Sequence, residues 1–430
     1  MMGDHVFTGF GFGPIQGGLF AKEAFQSGNF KRIVVAEIDA DLVDAVRANE
    51  GSYYVNVAEA DGIEPLRIDN VELLNPNVDA DRQSFLEVLA QSTEIVTSLP
   101  SVNFYEAGQG NSVVSLIAEG LRKSSAEATI IYTAENNNHA AEVLEKAVSD
   151  KNAAPLQEKV QFLNTVIGKM SRVVTDSAEI AELKLKTIAP GIERAFLVEQ
   201  FNRIMVSRTQ IAGFKPGIKV FIEKDDLLPF EEAKLYGHNA IHSLLGFIGA
   251  VKGARSMTEL KDDKAVMQIG RDAFLKESGA ALIKKYAYLG DELFTEAGFK
   301  DFAEDLLVRM TNPYLGDTIA RVTRDVVRNL ELDGRVFGTM QLALEYGIEP
   351  KKMALGAIAG VAVLLRKAEE YNLPDDLRCG HWRKLDEIRI ERILNWLWDE
   401  KSCRQNNQII KSLKNAKIHL EELVTNRHWQ

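Results

Sequence analysis

Apolar and polar residues follow two different spacings along the first half of the chain. Short apolar runs of β type are separated by segments whose apolar residues recur at helical spacing, which is typical of an α/β domain with a largely parallel sheet. The predicted strands span residues 5–9, 32–37, 94–99 and 129–133. The predicted helices span residues 14–26, 40–49, 104–123 and 139–150, and Gly28 is the expected C-cap of the first.

The pattern changes in the second half. Beyond about residue 190 the β pattern fades, one last strand is predicted at 219–223, and long amphipathic helices follow. These helices are predicted at residues 231–248, 301–311, 317–330 and 384–402. A chain of 430 residues is long enough for two domains. The sequence therefore predicts an α/β domain over residues 1–200 and a mostly α-helical domain over residues 201–430.

Composition narrows the kinds of partner. The chain is 46% apolar and 26% charged, and its formal net charge is −11. Nucleic acids and anionic membranes attract basic surfaces, so neither is expected as a partner, although a local basic site for a small anion stays open. The N-terminal segment lacks a basic stretch followed by a long apolar run, and the longest apolar stretch, residues 354–365, is too short to cross a bilayer. A cytoplasmic location is expected.

The segment after the first predicted strand is rich in glycine and precedes a predicted helix. Gly11 and Gly13 are spaced as in a dinucleotide fingerprint, but Gln16 occupies the position of the third glycine, just before Gly17 and Gly18. Glycines here allow a tight turn and let backbone amides approach a pyrophosphate, to which a helix N-terminus adds the positive end of its dipole. A glycine-rich turn without a ligand is the alternative.

An acidic residue after the second predicted strand favours the nucleotide site. Glu37 lies about 20 residues beyond the loop, where an acid accepts hydrogen bonds from the adenosine ribose hydroxyls and would repel a 2′-phosphate. The sequence therefore predicts a Rossmann-type domain that binds NAD rather than NADP. The predicted cofactor contacts in this region are Gly11, Gly13, Pro14, Ile15, Gln16, Gly18, Glu37 and Ile38.

A helical pattern in the second half combines an amine, an amide and imidazoles. On an α-helix, at about 100° per residue, Lys234, His238 and His242 fall within an arc of roughly 80°, and Asn239 lies about 60° from His242. Oxidation of an alcohol needs a base for the hydroxyl proton and donors that hold the oxygen as it becomes a carbonyl. Lys234 suits the first task if its pKa is lowered, and Asn239 and His242 suit the second.

Two other interpretations of this segment stay open. A solvated lysine on an amphipathic helix with two incidental histidines is the commoner arrangement. A zinc site is the other, since His238 and His242 are four residues apart, but the glutamate of the metalloprotease motif and a third ligand are missing from the pattern. No metal is predicted.

The spacing Lys-x-x-x-x-Asn-x-x-His resembles the signature of the polyol-specific long-chain dehydrogenases, the mannitol dehydrogenase family. The resemblance spans roughly residues 5–365 and is greater to the mannitol-1-phosphate branch. The segments that carry it include residues 309–317, 321–330, 333–336 and 344–347. The resemblance implies an NAD-dependent, metal-independent enzyme that interconverts a sugar alcohol, as a hexitol phosphate, and the ketose. Lys234 would be the base, Asn239 and His242 would bind the reacting oxygen, and Asn136 would contact both nicotinamide and substrate.

Three arginines indicate how a phosphate would be bound. Arg321, Arg324 and Arg328 share one face of the predicted helix, and clustered guanidinium groups bind phosphate through paired hydrogen bonds. The alternative is a solvated basic face paired locally with Asp317 and Asp325. The resemblance favours phosphate, so the three arginines are predicted to contact the substrate.

The sequence departs from the family at Gly168-Lys169, where relatives usually carry Asp-Arg, and at Thr323 and Val326, where glycine and proline are common. Two competing functions therefore stay open. One is a dehydrogenase of the same family that acts on a sugar acid or an unphosphorylated polyol. The other is a non-catalytic NAD-binding sensor, which the altered Gly168-Lys169 pair favours and the retained Lys234 opposes.

Overall fold

The structure is a computed structural model that describes residues 5–152, 156–379 and 381–425. Its contacts divide the chain into two compact units, Met1–Phe230 and Glu231–Gln430. The first unit extends beyond residue 200 because the strands Ala195–Glu199, Ile204–Ser207 and Phe221–Lys224 complete its sheets. The prediction that β structure fades beyond residue 190, apart from one last strand, is therefore wrong.

The described residues of the first unit form twelve strands in two sheets. The strands are β1 (His5–Phe10), β2 (Phe30–Ala36), β3 (Tyr53–Ala58), β4 (Ile63–Ile68), β5 (Val71–Leu74), β6 (Glu94–Thr97), β7 (Thr129–Thr133), β8 (Val160–Ile167), β9 (Ser171–Val174), β10 (Ala195–Glu199), β11 (Ile204–Ser207) and β12 (Phe221–Lys224). The larger sheet has the order β12-β11-β8-β7-β6-β1-β2-β5. Its strands from β5 to β8 are parallel, whereas β11 runs antiparallel to β8. This is the strand order of a doubly wound Rossmann sheet with an added edge.

Five strands of the large sheet are predicted from the sequence, since β12 corresponds to the strand predicted at 219–223, and the Rossmann-type fold is confirmed. Strands β1, β6 and β7 are almost completely buried along their length. A parallel strand covered on both faces needs a nearly continuous apolar run, which makes it recognisable in the sequence. The bounds of β7 agree with the prediction, and the other four strands differ from it by at most two residues at either end.

The smaller sheet has the order β4-β3-β10-β9, and none of its strands is predicted. Its central pair, β3 and β10, is parallel and joins segments about 140 residues apart, for example Phe196 opposite Val55. The outer strands β4 and β9 are antiparallel to their neighbours. Strand β4 has mostly exposed or half-buried residues and contains Pro65, so its sequence has no apolar alternation.

Helices cover the large sheet and form most of the second unit. Those of the first unit are α1 (Ala21–Ser27), α2 (Ala40–Ala48), α3 (Asp79–Leu89), α4 (Val113–Arg122), α5 (Ala140–Asn152) and α6 (Ser177–Glu182). The helix α7 (Leu228–Glu232) leads into the second unit, which contains α8 (Ala240–Lys252), α9 (Lys264–Asp272), α10 (Ala280–Tyr286), α11 (Glu296–Met310), α12 (Ile319–Val322), α13 (Val326–Asn329), α14 (Arg335–Glu345), α15 (Lys351–Arg366), α16 (Glu387–Leu397), α17 (Glu400–Gln405) and α18 (Asn407–Thr425). Gly28 ends α1 with a φ of 68°, as predicted. None of the described helices is long and apolar enough to cross a membrane.

π-Helical segments interrupt the described helices at Gln16–Phe20, Ala233–Asn239 and Ala273–Gly279. At the end of the segment Gln16–Phe20, the N–H of Ala21 donates to the carbonyl of Gln16, five residues back. In an α-helix this N–H would bond Gly17, four residues back. The carbonyl of Gly17 instead accepts the hydroxyl of Tyr53 at 2.7 Å. A buried side-chain hydroxyl thus replaces the backbone donor that the π-helical turn removes.

The core of the second unit is built around α8 and α15. A Cβ atom added to Gly356 of α15 would lie 2.8 Å from Cγ of Leu244 in α8, so the glycine permits this close approach. The C-terminal helix α18 packs on the same helix α15. Nearby, Trp398 donates its indole N–H to the carbonyl of Leu330 at 3.0 Å and packs edge-on against Phe337. The described residues of the C-terminal segment therefore pack against the core of the second unit.

The single helix predicted at 317–330 is wrong, because α12 and α13 are separate four-residue helices. The hydroxyl of Thr323 bonds the carbonyl of Ile319 at 2.8 Å at the end of α12, as hydroxyl side chains do when they compete with helical hydrogen bonds. The carbonyl of Arg324, between the two helices, accepts the amine of Lys367 at 3.2 Å and the hydroxyl of Tyr371 at 2.6 Å. Two side chains from outside the segment therefore stabilise the break.

Candidate active site

A cavity of about 550 Å³ opens at the carboxyl ends of β1, β2 and β6 in the first unit. Ligands of open α/β sheets bind where the strand order reverses, which in this sheet is between β1 and β6. The cavity is lined by Phe10, Gly11, Phe12, Gly13, Pro14, Ile15, Ala36, Glu37, Ile38, Pro76, Ser98, Leu99, Pro100, Phe104, Ala107, Asn111, Val113 and Leu116. Most of this lining is apolar, which suits a planar base and its sugar.

The glycine turn forms one wall of this cavity. Gly11 has a φ of 78°, and a Cβ there would lie 2.9 Å from the carbonyl oxygen of Ser98, so only glycine fits without strain. The helical residues that follow begin at Pro14, whose missing N–H costs nothing at a helix start. Gly11, Gly13, Pro14 and Ile15 all line the cavity, as a pyrophosphate-binding turn requires.

Glu37 lies at the end of β2 and also lines the cavity. Its carboxylate accepts the backbone N–H groups of Phe12 at 2.7 Å, Ile38 at 2.7 Å and Asp39 at 2.9 Å. These bonds fix a negative charge beside the glycine turn while a carboxylate still has lone pairs for further donors. The arrangement fits the adenosine ribose of NAD and is unfavourable for a 2′-phosphate.

Three predicted cofactor residues do not line this cavity. Gln16 is buried, and its amide packs so closely over Gly9 that a Cβ on Gly9 would lie 1.6 Å from Nε2. Gly18 is buried against β10, where a Cβ would lie 2.6 Å from Cγ1 of Val198. Asn136 is exposed three residues beyond the end of β7. In the structure Gln16 and Gly18 therefore serve helix–sheet packing.

The predicted site residues do not include Glu135, whose buried carboxylate lies beside the cavity. Glu135 accepts the hydroxyl of Thr97 at 2.9 Å, the N–H of Leu99 at 2.8 Å and the hydroxyl of Tyr105 at 2.5 Å. These bonds tie the ends of β6 and β7 to the wall of the cavity that contains Leu99. In the sequence, only the position of Glu135 next to Asn136 indicates that Glu135 has a role.

Gly168 and Lys169 follow directly after β8. Lys169 is buried, and its amine donates to the carbonyls of Glu199 and Phe201. The carboxylate of Glu199 accepts the N–H of Met170 at 2.5 Å. The lysine therefore links β8 to the loop after β10, and Gly168 leaves space beside it.

The second unit contains the predicted catalytic residues. Lys234, His238 and Asn239 lie in the π-helical segment Ala233–Asn239, and His242 lies in the first turn of α8. Burial, assisted by the nearby Arg335 guanidinium, lowers the pKa of Lys234 to about 8 against the opposing effect of the Glu231 carboxylate. An amine with this pKa is neutral in a useful fraction of molecules near neutral pH.

The π-helical turn changes the geometry expected for this motif. On an α-helix, residues five apart such as Lys234 and Asn239 point about 140° away from each other. Bonds that join residues five apart instead bring them to the same face. His238 is buried, and burial lowers its pKa well below the ordinary value, with His242 and Arg309 acting in the same direction. His238 is therefore a neutral imidazole in this site.

His242 belongs to a charged chain of side chains. Its Nε2 atom lies 2.9 Å from Oδ2 of Asp317, and Arg321 donates from Nε to Oδ1 of the same carboxylate at 2.7 Å. Burial alone would raise the pKa of Asp317, but His242 and Arg321 outweigh burial and lower it to about 2. The ionised aspartate therefore fixes the orientation of the His242 ring.

The predicted arginines are all exposed and differ in their partners. Arg321 pairs with Asp317, and Arg324 lies 3.6 Å from the carboxylate of Asp325. Arg335, which the predicted set does not include, is half-buried at the start of α14. Burial lowers the pKa of Arg335, and the guanidinium groups of Arg328 and Arg321 act in the same direction against the carboxylate of Asp325. The positive charges near Lys234 therefore come from Arg335, with Arg328 and Arg321 beside it.

No group of three or more His, Cys, Asp and Glu side chains in the described part of the chain could hold a metal ion. His238 and His242 have ring centroids 6.2 Å apart, tilted by 53°.

The nucleotide cavity and the lysine-centred site are those of a nucleotide-dependent dehydrogenase. Residues 7–220 match the mannitol dehydrogenase Rossmann domain, and residues 226–421 match the mannitol dehydrogenase C-terminal domain. The chain belongs to the mannitol dehydrogenase family and is an NAD-dependent polyol oxidoreductase.

Known relatives agree with this assignment. The chain is 25% identical over 358 residues to mannitol-1-phosphate 5-dehydrogenase from Buchnera aphidicola, which covers 81% of this chain and 84% of the relative. Its fold is similar to that of Pseudomonas fluorescens mannitol 2-dehydrogenase, solved with NAD and D-mannitol, with a TM-score of 0.69, 17% identity, and coverage of 98% and 93% of the two chains. A D-sorbitol dehydrogenase structure gives a TM-score of 0.75 at 16% identity, covering 97% and 93%.

Proposed function

We propose that this enzyme reversibly oxidises a secondary hydroxyl group of a hexitol phosphate, such as mannitol 1-phosphate, to the ketose phosphate, with Lys234 as the general base. The proposal is based on the position of Lys234 and on its lowered pKa. Its amine lies on a π-helical turn with Asn239 five residues further on, and its pKa is lowered to about 8. A base with a pKa near the working pH is the most effective proton acceptor.

Three residues of the second unit have separate roles in the oxidation. Lys234 takes the hydroxyl proton as the carbon–oxygen bond gains double-bond character. Asn239 and His242 donate hydrogen bonds to the reacting oxygen, with the His242 ring oriented by Asp317. NAD, when bound, accepts the hydride that leaves the same carbon. In the reverse direction protonated Lys234 returns the proton to the oxygen.

The surroundings of Arg335 are evidence for a phosphorylated substrate. Arg335 is half-buried, and burial together with the nearby guanidinium groups of Arg328 and Arg321 lowers its pKa against the opposing charge of Asp325. A bound anion would relieve the repulsion between these guanidinium groups. The curated relative named for mannitol 1-phosphate agrees with an anionic substrate. The structural neighbour solved with D-mannitol keeps the unphosphorylated polyol as the second candidate, and a carboxylate would make a sugar acid the third.

The first experiment measures NADH formation by purified protein with a panel of polyols, polyol phosphates and sugar acids, with NAD and NADP tested separately. Turnover of a hexitol phosphate with NAD supports the proposal, and turnover only of a free polyol or sugar acid removes the phosphate from it. Lys234→Ala should lower turnover at least a hundredfold and leave NADH binding nearly unchanged. Equal turnover of wild type and Lys234→Ala would exclude the lysine as base.

The family assignment argues against the non-catalytic NAD sensor that the Gly168-Lys169 pair left open. A sensor would show measurable NADH binding together with no turnover of any substrate in the panel. The lowered pKa of Lys234 and the ordered His242–Asp317 contact oppose this alternative, since a sensor has no need of a base that is neutral near neutral pH.

A further inference from the structure

The π-helical segment that contains Lys234 is joined to two other helices through one backbone carbonyl, that of Tyr236. The N–H of Ala240, which would bond Tyr236 in an α-helix, donates instead to the carbonyls of Leu235 and Gly237. The carbonyl of Tyr236 accepts the hydroxyl of Ser278 at 2.7 Å. The hydroxyl of Thr339 lies 3.4 Å from the same oxygen.

Both hydroxyl groups are inside the protein. Ser278 and Thr339 are each 0% exposed, so neither side chain has water as an alternative partner. Ser278 lies in the π-helical segment Ala273–Gly279. Thr339 lies in α14 and donates its one hydroxyl hydrogen to the carbonyl of Arg335 at 2.5 Å, so the hydroxyl that donates to Tyr236 is that of Ser278. A buried carbonyl left without a donor costs about 1–3 kcal/mol. Loss of the Ser278 hydroxyl would therefore favour a different backbone path at Tyr236.

The packing around the turn is tight at two glycines. A Cβ atom on Gly237 would lie 3.0 Å from the ring of Phe274, and one on Gly338 would lie 2.8 Å from the ring of Tyr236. Glu277, next to Ser278, accepts the N–H groups of Lys352 and Met353 at 2.7 Å and 2.8 Å, which fixes the second π-helical segment to the start of α15. Ser278 is therefore presented to Tyr236 from a fixed support.

The first π-helical segment of the molecule shows the same arrangement independently. There the carbonyl of Gly17, skipped by the backbone donor, accepts the buried hydroxyl of Tyr53. In both places a hydroxyl from another element replaces the bond that the π-helical turn removes.

We infer that Ser278 is a positioning residue for the base: by donating to the carbonyl of Tyr236 it maintains the π-helical turn that places Lys234 and Asn239 on one face. The inference rests on the proposed role of Lys234. If the turn relaxes, Lys234 leaves its half-buried position and Asn239 rotates away from it. Water reaching the amine would then raise the pKa of Lys234 toward its ordinary value.

The test compares Ser278→Ala, and the double variant that also carries Thr339→Val and so removes both hydroxyls near Tyr236, with wild type. Thr311→Val is the matched control, since Thr311 is also buried and its hydroxyl bonds the carbonyl of Leu307 at 3.0 Å, away from Tyr236. The primary measurement is the pH dependence of acetylation of Lys234 by acetic anhydride, followed by mass spectrometry, because it requires no substrate.

In the double variant we expect the midpoint of Lys234 acetylation to rise by about half a pH unit or more, and turnover of mannitol 1-phosphate at pH 7 to fall about tenfold. NADH binding and the Thr311→Val control should stay unchanged. A wild-type midpoint and rate in the double variant would overturn the inference. So would a lower melting temperature with an unchanged midpoint, which is the result of a purely structural role.

Failure of the proposed function gives a different result. If Lys234→Ala retains turnover, the base assignment is lost whatever the acetylation midpoints show. If Lys234→Ala is inactive and the hydroxyl variants keep the wild-type midpoint, only the positioning role is lost. Should the double variant not fold, the single variant Ser278→Ala, which removes the 2.7 Å bond to Tyr236, decides on the same midpoint.

Discussion

Lys234 and Asp317 lie in the same helical unit, and their surroundings stabilise different charge states. Burial and Arg335 lower the pKa of Lys234 to about 8, which makes its neutral form accessible. His242 and Arg321 lower the pKa of Asp317 to about 2 in spite of burial, so this carboxylate stays ionised at every pH at which the enzyme would work. One residue can therefore exchange a proton while the other provides a constant charge for His242.

The two directions of the reaction should depend on pH in opposite ways. Oxidation of the alcohol needs neutral Lys234, so kcat/KM should rise with pH to a plateau with a midpoint near 8. Reduction of the ketose needs protonated Lys234 and should fall through the same midpoint. Initial rates in both directions between pH 6 and 10 check this. A midpoint near 10.5 or a flat profile would contradict a base with a lowered pKa.

Asp317→Asn should slow the reaction without affecting the nucleotide. The asparagine lacks the negative charge of Asp317, which orients His242 and pairs with Arg321. A hydrogen bond to a charged group contributes about 1.5–3 kcal/mol, and the variant would lose much of this. We expect kcat to fall about ten- to a hundredfold, while the Kd of NADH, measured by fluorescence titration, changes less than twofold. Asp325→Asn, next to exposed Arg324, is the control and should have little effect. Equal kcat values for both variants would remove Asp317 from the site.

Some residues of the site can be predicted from the sequence, and others cannot. Gly11 and Glu37 are predictable because a left-handed turn and a ribose acceptor each need one residue type at one place. Gln16 is assigned to the cofactor from its position in the motif, yet its side chain fills the space over Gly9. Arg335 lies 93 residues after His242 in the chain, and only the packing of α14 brings it close to Lys234.

At the level of the secondary-structure elements, the break between α12 and α13 changes which arginines can bind a substrate. A continuous helix would present Arg321, Arg324 and Arg328 on one face. The break leaves Arg324 exposed beside Asp325 and turns the positive charge toward Arg335. The apolar spacing of the segment resembles one helix because both short helices bury their apolar residues in the same core.

Arg335→Met should therefore weaken binding of a phosphorylated substrate more than any change at Arg324. We expect KM for mannitol 1-phosphate to rise about tenfold or more, and the pH midpoint of oxidation to move upward, because loss of the positive charge raises the pKa of Lys234. Arg324→Gln should change KM less than twofold. Steady-state kinetics at several pH values measure both quantities. The opposite order of the two variants would place the phosphate at Arg324.

At the scale of the whole molecule, the Rossmann-type sheet and the helical second unit are predictable, and the four-stranded sheet is not. Central parallel strands carry apolar runs that identify them one at a time. The pairing of β3 with β10 joins distant segments, and β4 has no apolar alternation, so no local pattern indicates that sheet. The three strands after residue 190 are short, and each pairs with a partner far away in the chain or with another short strand.

A buried carboxyl group makes the stability of the first unit depend on pH. Glu94 begins β6, accepts the N–H of Gly217 at 2.6 Å and lies 3.5 Å from His5. Burial raises its pKa from 4.5 to about 8. The folded state keeps a proton that the unfolded chain releases above pH 4.5, so stability contributed by this group decreases as pH rises from about 4.5 to 8.

Glu94→Gln removes this titration and keeps the shape of the side chain. The melting temperature of wild type should therefore decrease more steeply between pH 5 and 8.5 than that of the variant, by a few degrees over the range. Differential scanning calorimetry at four pH values measures the slope. Glu64→Gln, at an exposed position of β4, should have the wild-type slope. Parallel curves for wild type and Glu94→Gln would show that Glu94 is ionised in the fold.

The π-helical turn in the helix from Leu228 to Lys252 also changes how its sequence has to be compared with others. An extra residue is accommodated within the turn, so the side chains before Ala233 and after Asn239 are out of phase by about 100° relative to one regular helix. Deleting a single residue between Lys234 and Asn239 would leave the two residues four apart on a regular α-helix, about 40° from each other and still on one face. Straightening the helix with every residue present would instead turn them about 140° apart, so the extra residue and the π-helical turn have to be kept or lost together.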